Sequence, residues 1–232
     1  IDFLQTWTIK KVKNELSDLI ELKNIEESNS NIRALAYQIY ENNGVVKKEN
    51  VNVFTKILKQ DERKILRKLG VKFGRYHVFL HKLFKPNAVS LRLLLWKNFH
   101  QKHLNLAPPK FGLNFLEDKN KINQNLMLIC GFERFENYYV RIDILERLFL
   151  KIIDSENDKK NGIKISADML NLLGCNKENF IKLIQKMGYK TIEINNEVYF
   201  KYLSVKKVKK TSIPVRKNQD NPFKILKDIK FK

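Results

Sequence analysis

The residues in this chain whose types and spacing point to chemistry are cationic, and the chemistry is contact with phosphate. Arg63, Lys64, Arg67 and Lys68 fall close together on a stretch of helical periodicity. Arg75 and Tyr76 follow Gly74 between two apolar runs, where a hairpin turn would present them. Asn176, Lys177, Lys182 and Lys186 are spaced along a second helical stretch, with Asn179 and Gln185 between them. Lys206, Lys207, Lys209 and Lys210 form a basic run near the end. Guanidinium and ammonium groups neutralise phosphates and release their counterions, and amides reach base edges. These residues are the candidate nucleic-acid contacts. For any one of them the competing reading is a solvated, charged helix face.

Other chemistries find less support. His77 and His81 are four apart and His100 and His103 three apart, spacings that share a metal only on a helix. His77, however, falls in an expected strand, no HExxH is present and no Cys pair stands nearby, so no metal site is expected. Cys130 and Cys175 lack any nucleophile context, and two isolated thiols are expected as reduced core residues of a cytoplasmic protein. The acidic residues read as scattered over helix surfaces, with no carboxylate pair in a cleft. No Gly-rich phosphate loop and no acidic ATPase string is present, so ATP and Mg cannot be held by this segment.

The totals agree with a polyanionic partner. Across 232 residues, 45 Lys and Arg stand against 25 Asp and Glu, a formal net charge of +20. Such an excess costs self-repulsion and is not needed for solubility. A Lys- and Asn-rich composition supplies part of it but does not explain why Lys so outnumbers Glu. No apolar run approaches the ~20 residues of a membrane span. The chain starts at Ile1 rather than Met and lacks a signal-peptide pattern, so it is expected to begin inside a longer protein.

Hydropathy periodicity supplies the elements that must carry these residues. Residues 2–24 read as one helix, the continuation of an upstream part (1–29). A first unit, 30–100, opens with a helix capped by Asn29 or Ser30 and carrying Ile32, Leu35, Ala36, Ile39 and Tyr40 on one face, stopped by Asn43-Gly44. Val45-Val46 reads as a short strand. Helices capped by Asn50 and Asp61 follow, the second ended by Gly70, then the hairpin Val71–Phe73 and His77–Leu80. Pro86 starts a helix with Val89, Leu91, Leu94, Leu95 and Trp96 toward a core and Arg92 and Lys97 outside. Residues 101–123 read as a linker. The second unit, 124–204, has expected strands at Leu126–Cys130 and Tyr138–Arg141, an amphipathic helix from Ile142, helices capped by Ser166 and Asn176, and a hairpin around Asn195-Asn196. A basic tail, 205–232, ends in an apolar cluster from Phe223 to Phe231.

The two units repeat one pattern: Asn43-Gly44 precedes Gly70, and Asn161-Gly162 precedes Gly188, at the same interval. Helix, short strand, two helices and a hairpin is the order of a winged helix-turn-helix. The expected fold is therefore mainly α with small β-hairpins (α+β), as two winged-helix-like units joined by a linker. In that fold the second helix of each turn meets the nucleic acid, which singles out the helices carrying Arg67 and Lys182.

The stretch Arg67-Lys68-Leu69-Gly70-Val71-Lys72-Phe73-Gly74-Arg75-Tyr76-His77-Val78-Phe79-Leu80, leading to Leu83-Phe84-Lys85-Pro86 and Leu91-Arg92-Leu93-Leu94-Leu95-Trp96, resembles the region downstream of the motor in bacterial superfamily-2 helicases of the DExH type. Those are related to mitochondrial-type RNA helicases. Val140–Leu148, Leu172–Cys175 and Asn221–Leu226 are similar to the same family in the same order. The resemblance implies a parent that hydrolyses ATP with Mg in a motor outside this segment. Here it implies an accessory region that binds RNA or DNA, single-stranded or structured. No catalytic residue carries over. Two other readings stay open. One is a tandem winged-helix, sequence-specific DNA-binding protein, a replication initiator or regulator. The other is a protein-interaction module whose charge reflects composition.

Overall fold

The computed structural model describes residues 2–25, 29–100, 108–118, 123–155, 162–194 and 197–202. Residues 1–201 pack as one unit and 202–232 form a second, of which only Tyr202 is described. The tail lysines Lys206, Lys207, Lys209 and Lys210 and the apolar cluster near the end lie outside the described residues.

The expected helix over 2–24 is two helices, α1 (Asp2–Glu15) and α2 (Ser17–Lys23), broken at Leu16. α1 buries no side chain, and Phe3, Leu4 and Trp7 are exposed. The break turns Leu16 and Leu22 into the first core, which a continuous helix would not do.

That core is built by α3 (Ser30–Glu41), β1 (Val45–Lys47), α4 (Asn52–Ile57), α5 (Gln60–Lys68), β2 (Val71–Phe73) and β3 (His77–Leu80). Asn29 caps α3 through its side chain, and Ile32, Leu35, Ala36 and Ile39 are buried as their spacing requires. α4 and α5 begin from Val51 and Lys59 rather than Asn50 and Asp61. Glu62 reaches back to the Lys59 N–H at 2.7 Å, so the chain is capped from inside the first turn. Each fully buried Leu or Ile here contributes on the order of 1.5–3 kcal/mol.

A 3₁₀ turn (His81–Phe84) leads to α6 (Pro86–Phe99), β4 (Phe115–Glu117), α7 (Gln124–Ile129), β5 (Phe132–Phe135) and β6 (Tyr138–Arg141). Three expectations change here. Leu126–Cys130 is helical rather than a strand: Asn123 caps it by accepting from the N–H groups of Asn125 and Leu126, and Leu126, Met127 and Ile129 are all buried. A five-residue apolar run carries no period that separates strand from helix. The stretch read as a linker supplies β4, which pairs with β6 (Leu116 opposite Tyr139). And α6 buries Val89 and packs Leu91 on the core as expected, but its second half is turned. Leu94 and Leu95 are exposed, whereas Arg92 is 5% exposed. Its guanidinium donates to the carbonyls of Asn43, Leu83 and Ile129 (2.5–3.0 Å), so it satisfies chain ends that no helix or sheet reaches.

A separate core gathers α8 (Ile142–Ser155), β7 (Ile163–Lys164), α9 (Ala167–Leu173), α10 (Lys177–Lys186), β8 (Tyr189–Ile194) and β9 (Glu197–Tyr202). Ser166 and Asn176 cap α9 and α10 as expected. Gly70 and Gly188, which end α5 and α10, share positive φ (86° and 88°).

The chain is thus mixed α and β, with three small antiparallel sheets. Their strand orders are β1-β3-β2, β4-β6-β5 and β7-β9-β8. In each, the last strand lies in the middle. Among the described residues no helix is long and apolar enough to cross a membrane.

Candidate nucleic-acid interface

The β2–β3 turn presents three consecutive backbone N–H groups in a row, a concavity suited to an anion. The anion is internal. Glu146, on α8, accepts from the N–H groups of Arg75 (2.5 Å), Tyr76 (3.0 Å) and His77 (2.9 Å). Gly74 permits the approach: a Cβ at this position would collide with the Glu146 carboxylate. The Tyr76 ring packs on Phe149 of α8 with centroids 4.2 Å apart. The hairpin tip is therefore held by its backbone and by one face of the Tyr76 ring, while Arg75 and the rest of Tyr76 are exposed.

Behind the turn lies a group of charges that the sequence does not announce. His77 is 2% exposed. Its Nδ1 lies 3.3 Å from Glu146 and its Nε2 3.1 Å from Glu133 on β5, whose other oxygen receives Lys47 of β1 at 2.6 Å. Burial works against charge on His77, but the hydrogen bonds to Glu133 and Glu146 outweigh it and raise its pKa above the ordinary 6.5. Burial likewise opposes ionisation of both carboxylates. Against it, His77 and Lys47 hold the Glu133 pKa below the ordinary range, and His77 with the turn N–H groups does the same for Glu146. Two buried acids meet His77 and Lys47, and β1, β3, β5 and α8 are joined at one point.

This corrects the expectation that no carboxylate pair stands in a cleft. One signal for it was available. Glu146 sits on the apolar stripe of α8, four after Ile142 and three before Phe149, where a solvated residue does not belong. His77 has a carboxylate at each ring nitrogen, and among the described residues no group of His, Cys, Asp and Glu is arranged to hold a metal ion. His100 stands past the end of α6 with its ring at Trp96 O, and His103 lies outside the described residues. Burial pushes the thiols of Cys130 and Cys175 up to about 11, which leaves little nucleophilic thiolate at neutral pH.

The docked turn has a cleft on each side. One, of about 490 Å³, is walled by Lys47, Lys48, Asn52 and Tyr76, with His77 and Glu133 at its base. The other, of about 580 Å³, lies between α5, β2 and α8 and is rimmed by Arg67, Lys72, Arg75 and Arg147. Arg75 lines both.

Of the residues named from sequence, Arg67, Arg75 and Tyr76 come together around this turn, with Lys68 exposed on α5 beside them in the chain. Arg63 turns back to Thr55 O at 2.6 Å, and Lys64 pairs with Asp61 at 2.9 Å. On α10, Asn176 spends its side chain on the cap and Lys186 pairs with Glu136 at 2.5 Å, while Lys177 and Lys182 are exposed. The α10 set lines neither cleft around the turn. Lys72 and Arg147 were missed. Each is the outward residue of a strand or helix, and only the packing of β2 beside α8 brings them together.

Comparison of the chain with protein-family models, with curated proteins and with solved structures finds no match.

Proposed function

We propose that this chain is the nucleic-acid-binding accessory region of an ATP-dependent RNA or DNA helicase of the cytoplasm. In this reading it guides a strand to a motor in cis that alone binds ATP and Mg. The observation that carries the binding role is the convergence of Arg67, Lys72, Arg75 and Arg147 around one cleft. Among the described residues none of Arg67, Lys72 and Arg147 meets a carboxylate partner. The net charge of +20 supports the same partner. The helicase assignment rests on the resemblance of residues 67–96.

The first and second repeated units are read as winged helices. The support is a shared order of helix, strand, helix, helix and hairpin, with the first strand of each sheet paired to the last. A wing normally lies along duplex phosphates. Here the first hairpin is fastened to α8 through Glu146, which favours a guiding surface over a duplex reader. The exposed Lys177 and Lys182 on α10 favour the second reading, a tandem winged-helix protein that recognises duplex DNA.

A salt titration against single-stranded DNA, RNA and duplex DNA separates the two. Four phosphate contacts on a single strand predict a slope near −3 in log K against log salt, about a fiftyfold loss of affinity between 50 and 200 mM. A duplex reader instead shows tight, sequence-dependent binding to one duplex that survives moderate salt. No binding to any nucleic acid at low salt removes both readings and leaves a protein-interaction module.

A further inference from the structure

We infer that the cleft between α5, β2 and α8 receives a nucleotide unit of a single strand, with an unpaired base inside and its flanking phosphates on the rim; this rests on the nucleic-acid reading above and names the site and the form of ligand.

The lining divides by chemistry. Phe73, Phe79, Phe149 and Val71 make an apolar interior, and Arg67, Lys72, Arg75 and Arg147 stand at the mouth. At about 580 Å³ the space is within the range of sites that enclose small organic groups. Aromatic and aliphatic walls suit the face of a base, and guanidinium forks suit phosphate oxygens. Arg67 already lies over the Phe73 ring at 5.8 Å, so cation and aromatic are adjacent before any ligand arrives.

Two acids also line the cleft, and neither opposes an anion. Asp143 is held by both Arg141 nitrogens at 2.7 Å, and Glu146 is filled by the turn N–H groups and His77. The charge left facing outward is positive. On the outer lip, Leu150 and Ile153 are 62% and 41% exposed, one helical turn apart and next to Arg147. Large aliphatic groups exposed beside cations make a surface that a base covers and a duplex does not. Bases in a duplex are stacked and paired, and the recessed apolar floor is reached only by one that has left the stack. The hairpin cannot swing aside to admit a duplex, because Glu146 holds three of its N–H groups.

The test uses the full chain and a twelve-nucleotide single strand carrying one 2-aminopurine, its duplex, and free AMP. Leu150→Glu places a carboxylate on the lip at an exposed position. Leu94→Glu, an exposed leucine outside the cleft lining, makes the same charge change as a control, and thermal melts check that both variants are folded. Expected are a change in 2-aminopurine fluorescence on single-strand binding, about a tenfold loss of single-strand affinity in Leu150→Glu, less than a twofold loss in Leu94→Glu, and equal losses for the duplex in both. Single-strand binding with no fluorescence change, or with equal losses in the two variants, overturns the cleft assignment while the nucleic-acid reading stands. AMP binding that Leu150→Glu abolishes, without strand binding, makes the occupant a free nucleotide and overturns the strand. No binding of any nucleic acid at low salt removes the underlying reading itself.

Discussion

Glu146→Gln is expected to lower the free energy of unfolding by about 3–5 kcal/mol, the scale of breaking a buried charge pair from one side. The side chain keeps its length but exchanges one acceptor oxygen for an NH₂ group. That group meets the Arg75 N–H, which now lies 2.5 Å from a carboxylate oxygen, donor against donor. His77 is left buried with one carboxylate instead of two. The pH dependence makes the effect specific. In the native protein the His77 pKa is raised, so its contribution is complete below the ordinary 6.5 and is lost as pH rises through the raised value. The pKa values of Glu133 and Glu146 are lowered, so their contribution is complete above the ordinary 4.5 and is lost as pH falls through the lowered values. Stability from this group therefore peaks between about pH 4.5 and 6.5 and persists somewhat above it. In Glu146→Gln the alkaline decline should begin at lower pH, because one of the two carboxylate charges raising His77 is gone. Denaturant melts from pH 4 to 9 measure both limbs. Amide exchange at Arg75, Tyr76 and His77 should rise in the variant, and unchanged exchange there would show that the turn does not depend on Glu146.

What could be read in the chain beforehand follows from the range of the interactions involved. Caps and stops are local. Asn29, Ser166 and Asn176 bond to N–H groups two or three residues on, and Gly70 and Gly188 are the residues that tolerate positive φ at their helix ends. These positions, the β2–β3 hairpin and the inward face of α3 were accordingly legible. The misread segments are those where packing across the chain decides. Leu126–Cys130 is apolar on every side and takes its helical form from the Asn123 cap and from burial. Arg92 looks like a solvent-facing cation on α6 until three carbonyls, as far as 49 residues away in the chain, are placed around it. The charged group behind the turn joins His77 to partners 56 and 69 residues away, and no motif of that span is visible in a sequence. The cationic cleft is intermediate: Arg67 and Arg75 stand out by context, whereas Lys72 and Arg147 gain meaning only from the docking of the hairpin on α8.

Arg92→Met is expected to be about as damaging, near 3–5 kcal/mol, for a different reason. Methionine fills similar volume and removes the desolvated charge, a change that is often neutral where a whole ion pair is replaced. Here there is no acid to remove with it. The partners are the carbonyls of Asn43, after α3, of Leu83, in the 3₁₀ turn, and of Ile129, at the end of α7. Each is left with one donor fewer, and the losses add because all three lie around one buried point. Burial pushes the Arg92 pKa down to about 10, so the group is still charged at neutral pH and its loss is felt throughout the physiological range. Lysine should not rescue, since one ammonium on a flexible stem does not reproduce a planar fork aimed at three oxygens. Against a total stability of typically 5–15 kcal/mol, a loss of this size lowers the melting midpoint by many degrees. Arg92 lines neither cleft beside the turn. At a temperature where the Met variant is still folded, its affinity for a single strand should equal that of the native chain. Binding that falls together with stability would mean that the joint at Arg92 sets the shape of the cleft, and that the interface is not carried by the hairpin and α8 alone.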